Sequence, residues 1–221
     1  MILALRRLLV ILWTLAAVMN GVTLWMVFSY APVEVTMGAV QKIFYYHVPS
    51  AITCNVLLFL ACLFSGLYLW KDDPLYDTLA FAMAEVGWVF ITLVMVTGPI
   101  WGHSAWGKWW VWEPRLTSFL VLWLMYSAYF LLRLFSRTDA RTARIAAVVA
   151  IIAFFDLPII YKAIDWWGSI VHPKKVVLEA SMKHTFLMAL ASVLMLAAAM
   201  ALTRVNVGLA ERRQQEEEAN Q

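Results

Sequence analysis

Four histidines and one dense run of tryptophans carry most of the chemistry available to this chain. Residues 101 to 118 read Trp-Gly-His-Ser-Ala-Trp-Gly-Lys-Trp-Trp-Val-Trp-Glu-Pro-Arg-Leu-Thr-Ser, so five of the twelve tryptophans fall between Trp101 and Trp112. Indole is an apolar plate with one polar N–H, which suits it to a membrane–water boundary. An ordinary interfacial belt is sparser than this. Trp101, Trp106, Trp109, Trp110 and Trp112 together make an aromatic shelf for a flat, apolar ligand with polar edges, and a porphyrin has that shape. His47 stands two residues before Pro49, and His172 directly before Pro173. Proline is tolerated in a first helical turn and biases the residue before it away from helix, so both imidazoles are expected on short corners at the mouths of helices. Neutral imidazole ligates iron, and one histidine on each face of a porphyrin completes its coordination. Arg115, at the edge of the shelf, has a guanidinium fork that matches a propionate, whereas Lys108 and Lys174 offer mobile point charges.

Each of these residues has a plainer reading. A histidine at a membrane surface serves as a polar anchor, and a tryptophan cluster serves as an anchoring belt. His103, inside the tryptophan loop, touches either solvent or a ligand edge. His184 begins the last apolar segment and caps it. Glu113 either reads a ligand or pairs with Arg115 across Pro114 to hold the turn.

The elements that position these groups follow from composition. The 221 residues are 63% hydrophobic and 14% charged, outside the range of soluble domains. Apolar stretches near 8–28, 51–70, 79–98, 116–132, 145–163 and 185–203 each approach the roughly 20 residues needed to cross a bilayer core. Backbone groups in lipid must be satisfied within the segment, so the expectation is an all-α bundle of six transmembrane helices with short loops. One membrane domain over 1–210 and a polar cytoplasmic tail over 211–221 complete the layout. Arg6-Arg7 and the apolar run behind them are read as the first span, because the run is too long for a signal peptide and no small-residue cleavage site follows. With both termini inside, ten cations lie on the cytoplasmic side against seven outside, which agrees with the positive-inside rule. All four histidines then lie in the outer layer. No phosphate-binding GxxxxGK[ST] loop is present, no CxxC joins Cys54 to Cys62, and no nucleic-acid partner is expected. Two carboxylates fall within spans: Glu85, a candidate for lining an access route, and Asp156, which precedes a helix-kinking Pro158 and is expected to make a structural polar contact.

Three motifs in order carry a family resemblance: Tyr-Tyr-His-Val-Pro ending at Pro49, the tryptophan block with its acid-Pro-Arg-Leu-Thr-Ser, and Asp165-Trp166-Trp167 with His172 five residues further on. Together with the six-span layout they resemble the haem exporter protein C (CcmC) family of cytochrome c maturation over nearly the whole chain. The resemblance implies haem b held at the outer face of a bacterial inner membrane, with His47 and His172 as axial ligands and the tryptophans, Glu113 and Arg115 around it. It further implies transfer to a periplasmic haem chaperone. The implied companions are an ABC-type ATPase subunit, a second membrane subunit and a small single-span protein, within membrane lipid. Glu113 stands where the family usually has aspartate, and His103 where lysine is common. The implied activity is binding and delivery rather than catalysis. A haem lyase and a haem-translocating channel are the alternatives, the first requiring covalent product from this chain and an acceptor alone, the second a continuous polar path. An electron-transfer anchor would carry its histidine pairs inside the spans, where this chain has none.

Overall fold

A computed structural model describes residues 2–135, 139–169, 171–172 and 177–219. Helix α1 spans Ile2–Trp25 and runs on through one π turn, Met26–Tyr30. A 3₁₀ turn, Ala39–Ile43, leads into α2, Phe44–Lys71. Helices α3 (Pro74–Trp106), α4 (Pro114–Phe135), α5 (Ala140–Phe154), α6 (Asp156–Trp167) and α7 (Ala180–Ala219) follow. With α5 and α6 counted as one broken span, six helical segments are long and apolar enough to cross a membrane, as the sequence indicates. No strand occurs among the described residues, and the protein is an all-α, multi-pass membrane bundle.

Local chemistry sets where the helices stop. Asp72, in the left-handed region at φ 54°, closes α2, and the Asp73 carboxylate accepts the Leu75 N–H at 2.8 Å to cap α3, with Pro74 in its first turn. Gly107 at φ 74° closes α3 and Gly168 at φ 77° closes α6, a conformation that a β-carbon disfavours. The α5–α6 break at Phe155 has the expected cause, since Pro158 lacks an N–H and its ring excludes the carbonyl four residues earlier.

Helix α2 packs along α3, with α5 and α7 beside it; α1 leans on α7, and α4 bridges α3, α5 and α6. Small residues allow the close approaches. Ala143, Ala146, Ala147, Ala150 and Ala153 of α5 are all buried, and a β-carbon on Gly87 would stand 2.8 Å from a methyl of Leu58. The large exposed apolar residues distributed along the spans form the lipid-facing surface.

Ion pairs gather at one end of the bundle. Arg133 holds Asp77 with two parallel bonds of 2.9 and 2.8 Å, Arg144 meets Asp72 at 2.8 Å, and Arg204 pairs with Glu85. The Phe81 ring lies between two guanidinium groups, those of Arg133 and Arg204, each 5.1 Å from its centroid. Glu85 is thus committed to a helix–helix contact instead of an access route. Asp156 departs from expectation differently: its Oδ2 is buried and has no hydrogen-bond partner among the described residues. Cys54 and Cys62 are both free.

Two segments are more helical than the sequence pattern suggests. The tryptophan block is not wholly a loop, because α3 continues through Trp101 and His103 to Trp106. The polar stretch from Glu211, expected as a tail outside the bundle, continues α7 as far as Ala219. Glutamate, arginine and glutamine are good helix formers, and an Arg212–Glu216 pair at 3.5 Å spans one turn.

Candidate functional site

Element directions alternate, so the start of α2, the end of α3, the start of α4, the end of α6 and the start of α7 meet at the end opposite the ion pairs. A cavity of about 710 Å³ lies there, within the size range of cofactor and small-ligand sites. His47 and His172, 125 residues apart, both line it, with Trp101, Trp106, Trp109, Trp110 and Arg115.

The two imidazoles are held by different means and end in the same state. The Thr97 hydroxyl donates to the Leu93 carbonyl at 2.8 Å and lies 2.8 Å from His47 Nδ1. Its single proton is committed to the carbonyl, so His47 Nδ1–H donates to Thr97 and Nε2 keeps its lone pair. His172 Nδ1 lies 2.5 Å from Glu113 Oε1, and Ser169 donates to the other carboxylate oxygen at 2.5 Å. A carboxylate only accepts, so His172 Nδ1–H is the donor and Nε2 is again free. Ser169 Oγ also accepts the N–H groups of Val171 and His172, at 3.2 and 2.8 Å, which fixes the corner carrying the imidazole. Burial lowers the His172 pKa, against the opposing pull of Glu113, which keeps the ring in its neutral, ligating form at neutral pH. A histidine whose second nitrogen is oriented by threonine or carboxylate has the arrangement of a metal ligand.

The tryptophans divide into wall and rim. Trp101 and Trp106 meet edge to face at 4.9 Å, and Trp106 lies 6.4 Å from the His172 ring. Gly102 allows this, because a β-carbon there would fall 2.7 Å from the Trp106 ring. Gly98 faces His47 less tightly, with Cε1 3.4 Å from the position of an added β-carbon. The N–H groups of Trp106 and Trp110 are buried without a hydrogen-bond partner, as is Oε1 of Gln41, which also lines the cavity. Buried polar atoms are rarely left unpaired, so these suit a ligand with polar edges.

Other sequence candidates fall elsewhere. Trp112 is 75% exposed and does not line the cavity. Glu113 does not line it either, and the expected Glu113–Arg115 pair across Pro114 does not form, since the carboxylate turns to Ser169 and His172. Arg115 makes no ion pair among the described residues and stands in the wall. His103 stacks on Trp109 at 4.2 Å on the exposed rim, and His184 sits 3.2 Å from the Tyr30 hydroxyl, outside the lining. His103 lies in the last turn of α3 and not in a loop, His184 lies inside α7 and not at its cap, and His47, expected on a corner, sits in the first turns of α2. Lys108 is exposed, and Lys174 and Pro173 lie outside the described residues. Residue type alone does not single out Thr97, Gly98, Gly102 or Ser169. The signals the sequence holds for them are the place of Thr97-Gly98-Pro99 at the end of the third apolar stretch and a serine three residues before His172.

No group of three or more metal-ligating His, Cys, Asp or Glu side chains exists among the described residues. Two imidazoles on an apolar, tryptophan-walled cavity therefore suit a metal that brings its remaining ligands with it, in a planar macrocycle. Arg115 and the two unpaired indole N–H groups supply donors for carboxylates at the edge of such a ring.

A family profile described as Heme exporter protein C matches residues 1–220. The Heme exporter protein C of Bradyrhizobium diazoefficiens is 37% identical over 188 residues, covering 83% of this chain and 69% of the relative. That of Escherichia coli K12 is 37% identical over 147 residues, covering 65% of this chain and 58% of the relative. A putative cytochrome c biosynthesis ccmC-like mitochondrial protein of Marchantia polymorpha is 31% identical over 165 residues, covering 74% and 68%. The aligned region thus spans roughly two thirds of each relative or somewhat less.

Proposed function

The chain belongs to the Heme exporter protein C family, and from that premise we propose that it binds haem b between His47 and His172 and presents it for c-type cytochrome maturation. The observation that carries this reading is the convergence of two imidazoles, each with Nδ1 engaged and Nε2 free, on one tryptophan-walled cavity. Haem supplies an iron with two axial positions and two carboxylates. The chain supplies the axial lone pairs from Nε2 of His47 and His172, apolar walls from Trp101, Trp106, Trp109 and Trp110, and a cation from Arg115. Glu113 acts on the ligand through His172, orienting its ring and raising its basicity. Trp112, with the exposed Trp166 and Trp167, belongs to the rim where a receiving protein would dock.

The site lies on the periplasmic side of a bacterial inner membrane, with both termini cytoplasmic. The recipient is a periplasmic haem chaperone, and the companions in the membrane are an ABC-type ATPase subunit, a second membrane subunit and a small single-span protein. Delivery, not catalysis, is the role proposed, and Glu85, the acid best sited for a polar path, is paired with Arg204.

The test is the visible spectrum of the detergent-purified protein beside His47→Ala and His172→Ala. The wild type is expected to give a low-spin, six-coordinate haem, and each single variant a high-spin or empty form. A protein that cannot be loaded with haem, or variants that both retain the low-spin spectrum, would overturn the assignment.

A further inference from the structure

The cavity does not end at the histidines. Helix α2 lines it with His47, Ala51 and Asn55, at successive steps of four, so it descends about 12 Å along α2 into the membrane-spanning part of the bundle. On the facing side it is lined by Ile160 and Tyr161 of α6. These two helices do not pack along each other: α2 rests on α3, α5 and α7, and α6 on α4 and α5. What spans the gap at this depth is one hydrogen bond, from Asn55 Nδ2 to the Tyr161 hydroxyl at 2.6 Å. The pair lies at the surface of the bundle, with Tyr161 53% exposed, and one helical turn further along α2 Phe59 meets Phe154, the last residue of α5, at 5.8 Å, so that the α2–α5 contact forms the floor of the gap. An amide and a phenol are thus placed at lipid depth, where polar groups are costly and need each other as partners.

We propose that the gap between α2 and α6 is a side portal through which haem passes from the outer leaflet into the cavity, and that the Asn55–Tyr161 hydrogen bond is its latch. The proposal rests on the haem-binding reading above. A planar, largely apolar molecule partitions into lipid and meets the portal edge-on, with the macrocycle leading and its carboxylates trailing at the headgroup level. Rotation of the Tyr161 side chain breaks one hydrogen bond and opens a slot bounded by the Phe59–Phe154 contact below and by the two histidines above. The same bond, once re-formed, keeps lipid tails out of the loaded cavity. Loading from the side also leaves the tryptophan rim clear for a partner.

The test uses the full chain in phosphatidylcholine vesicles, with Cys54 and Cys62 replaced by alanine and with Asn55→Cys and Tyr161→Cys introduced. A short bismaleimide then ties α2 to α6, and the rise of the low-spin spectrum is followed after mixing with haem-laden vesicles. Tying before loading is expected to slow uptake by about tenfold or more relative to the same protein untied, while tying after loading leaves the spectrum in place. Tyr161→Phe, which lacks only the hydroxyl, is expected to load about threefold faster than the wild type, in keeping with one hydrogen bond in lipid. Equal rates with and without the tie overturn the portal and leave haem binding standing. A wild type that takes up no haem from any source overturns the haem reading and the portal with it. Should the double cysteine variant fail to load untied while the wild type loads, Tyr161→Phe decides, and a rate at or below the wild type's overturns the latch.

Discussion

At one end of the bundle Asp77 receives both arms of Arg133, Arg204 meets Glu85, and Phe81 lies between the two guanidinium groups. At the other end two indole N–H groups and the Gln41 carbonyl oxygen are buried with no partner, and two imidazoles keep an unused lone pair. Both ends carry polar groups into a membrane-embedded bundle. One end closes its charged groups on each other, and those contacts stitch α3 to α4 and α7. The other withholds the partners, which is the arrangement of a site that expects a ligand. The difference separates side chains whose removal should cost stability from those whose removal should cost binding.

The largest expected effect tests the first class. Asp77→Ala leaves Arg133 buried and unpaired, and losing one partner of a buried ion pair costs about 3–5 kcal/mol. Arg133 is only 10% exposed, so solvent offers little compensation. The thermal midpoint in detergent should fall sharply, while protein loaded with haem keeps a low-spin spectrum. A change of axial ligation in this variant would break the comparison, because it would couple the two ends.

Next in size is Glu113→Ala. The carboxylate does not line the cavity, but it is 5% exposed and fixes the His172 ring that does. Loss of such an orienting partner lowers metal-site affinity by about 10–100-fold. Glu113→Asp is expected to recover part of this, since the charge remains and only reach is lost. A weakened affinity with the midpoint little changed places Glu113 with the site; a large loss of stability with intact affinity would move it to the structural class. Smaller again is Gly102→Ala, whose β-carbon would fall 2.7 Å from the Trp106 ring and displace it. Overpacking of this kind should weaken haem binding by about tenfold, read by titration in detergent.

The two ends also differ in how far the sequence discloses them. Six spans, the α5–α6 break at Pro158 and the approach of His47 and His172 to one region are legible, because hydrophobic length, proline chemistry and an even number of crossings between the histidines survive any detail of packing. The role of Glu113 is not. Glu-Pro-Arg invites a local pair across the turn, whereas the actual partner of Glu113 lies 59 residues away, on a corner made by Ser169. Thr97 and Gly102 are ordinary residues for an apolar helix, and only the register of α3 against α2 and the fold-back of Trp106 give them a task. The ion-pair end is equally opaque. Glu85 alone in an apolar run looks like a functional acid, and Arg204 comes into view only when α7 packs beside α3. The helical continuation past Glu211 shows a further limit, since a polar composition does not by itself end a helix.

The smallest effect sharpens the comparison through pH. Asp139 caps α5 at the ion-pair end, accepting from the Arg141 N–H at 3.1 Å and from the Thr142 hydroxyl at 3.0 Å. Those bonds hold its carboxyl below its ordinary value, the Arg141 N–H contributing most. A carboxylate with a depressed folded-state pKa contributes stability that is complete above its unfolded value of 3.8 and is lost as pH falls through the lower folded value. Asp139→Ala should therefore lower the thermal midpoint slightly at neutral pH, and the gap from the wild type should close in acid as the native carboxylate takes up its proton. The haem spectrum at neutral pH should be the same in both proteins. A gap that persists unchanged into strong acid would show that the cap acts through its shape and not its charge. A spectral change at neutral pH would mean that the start of α5 and the far mouth of α6 move together, and the division between a stabilising end and a binding end would then fail at the α5–α6 break.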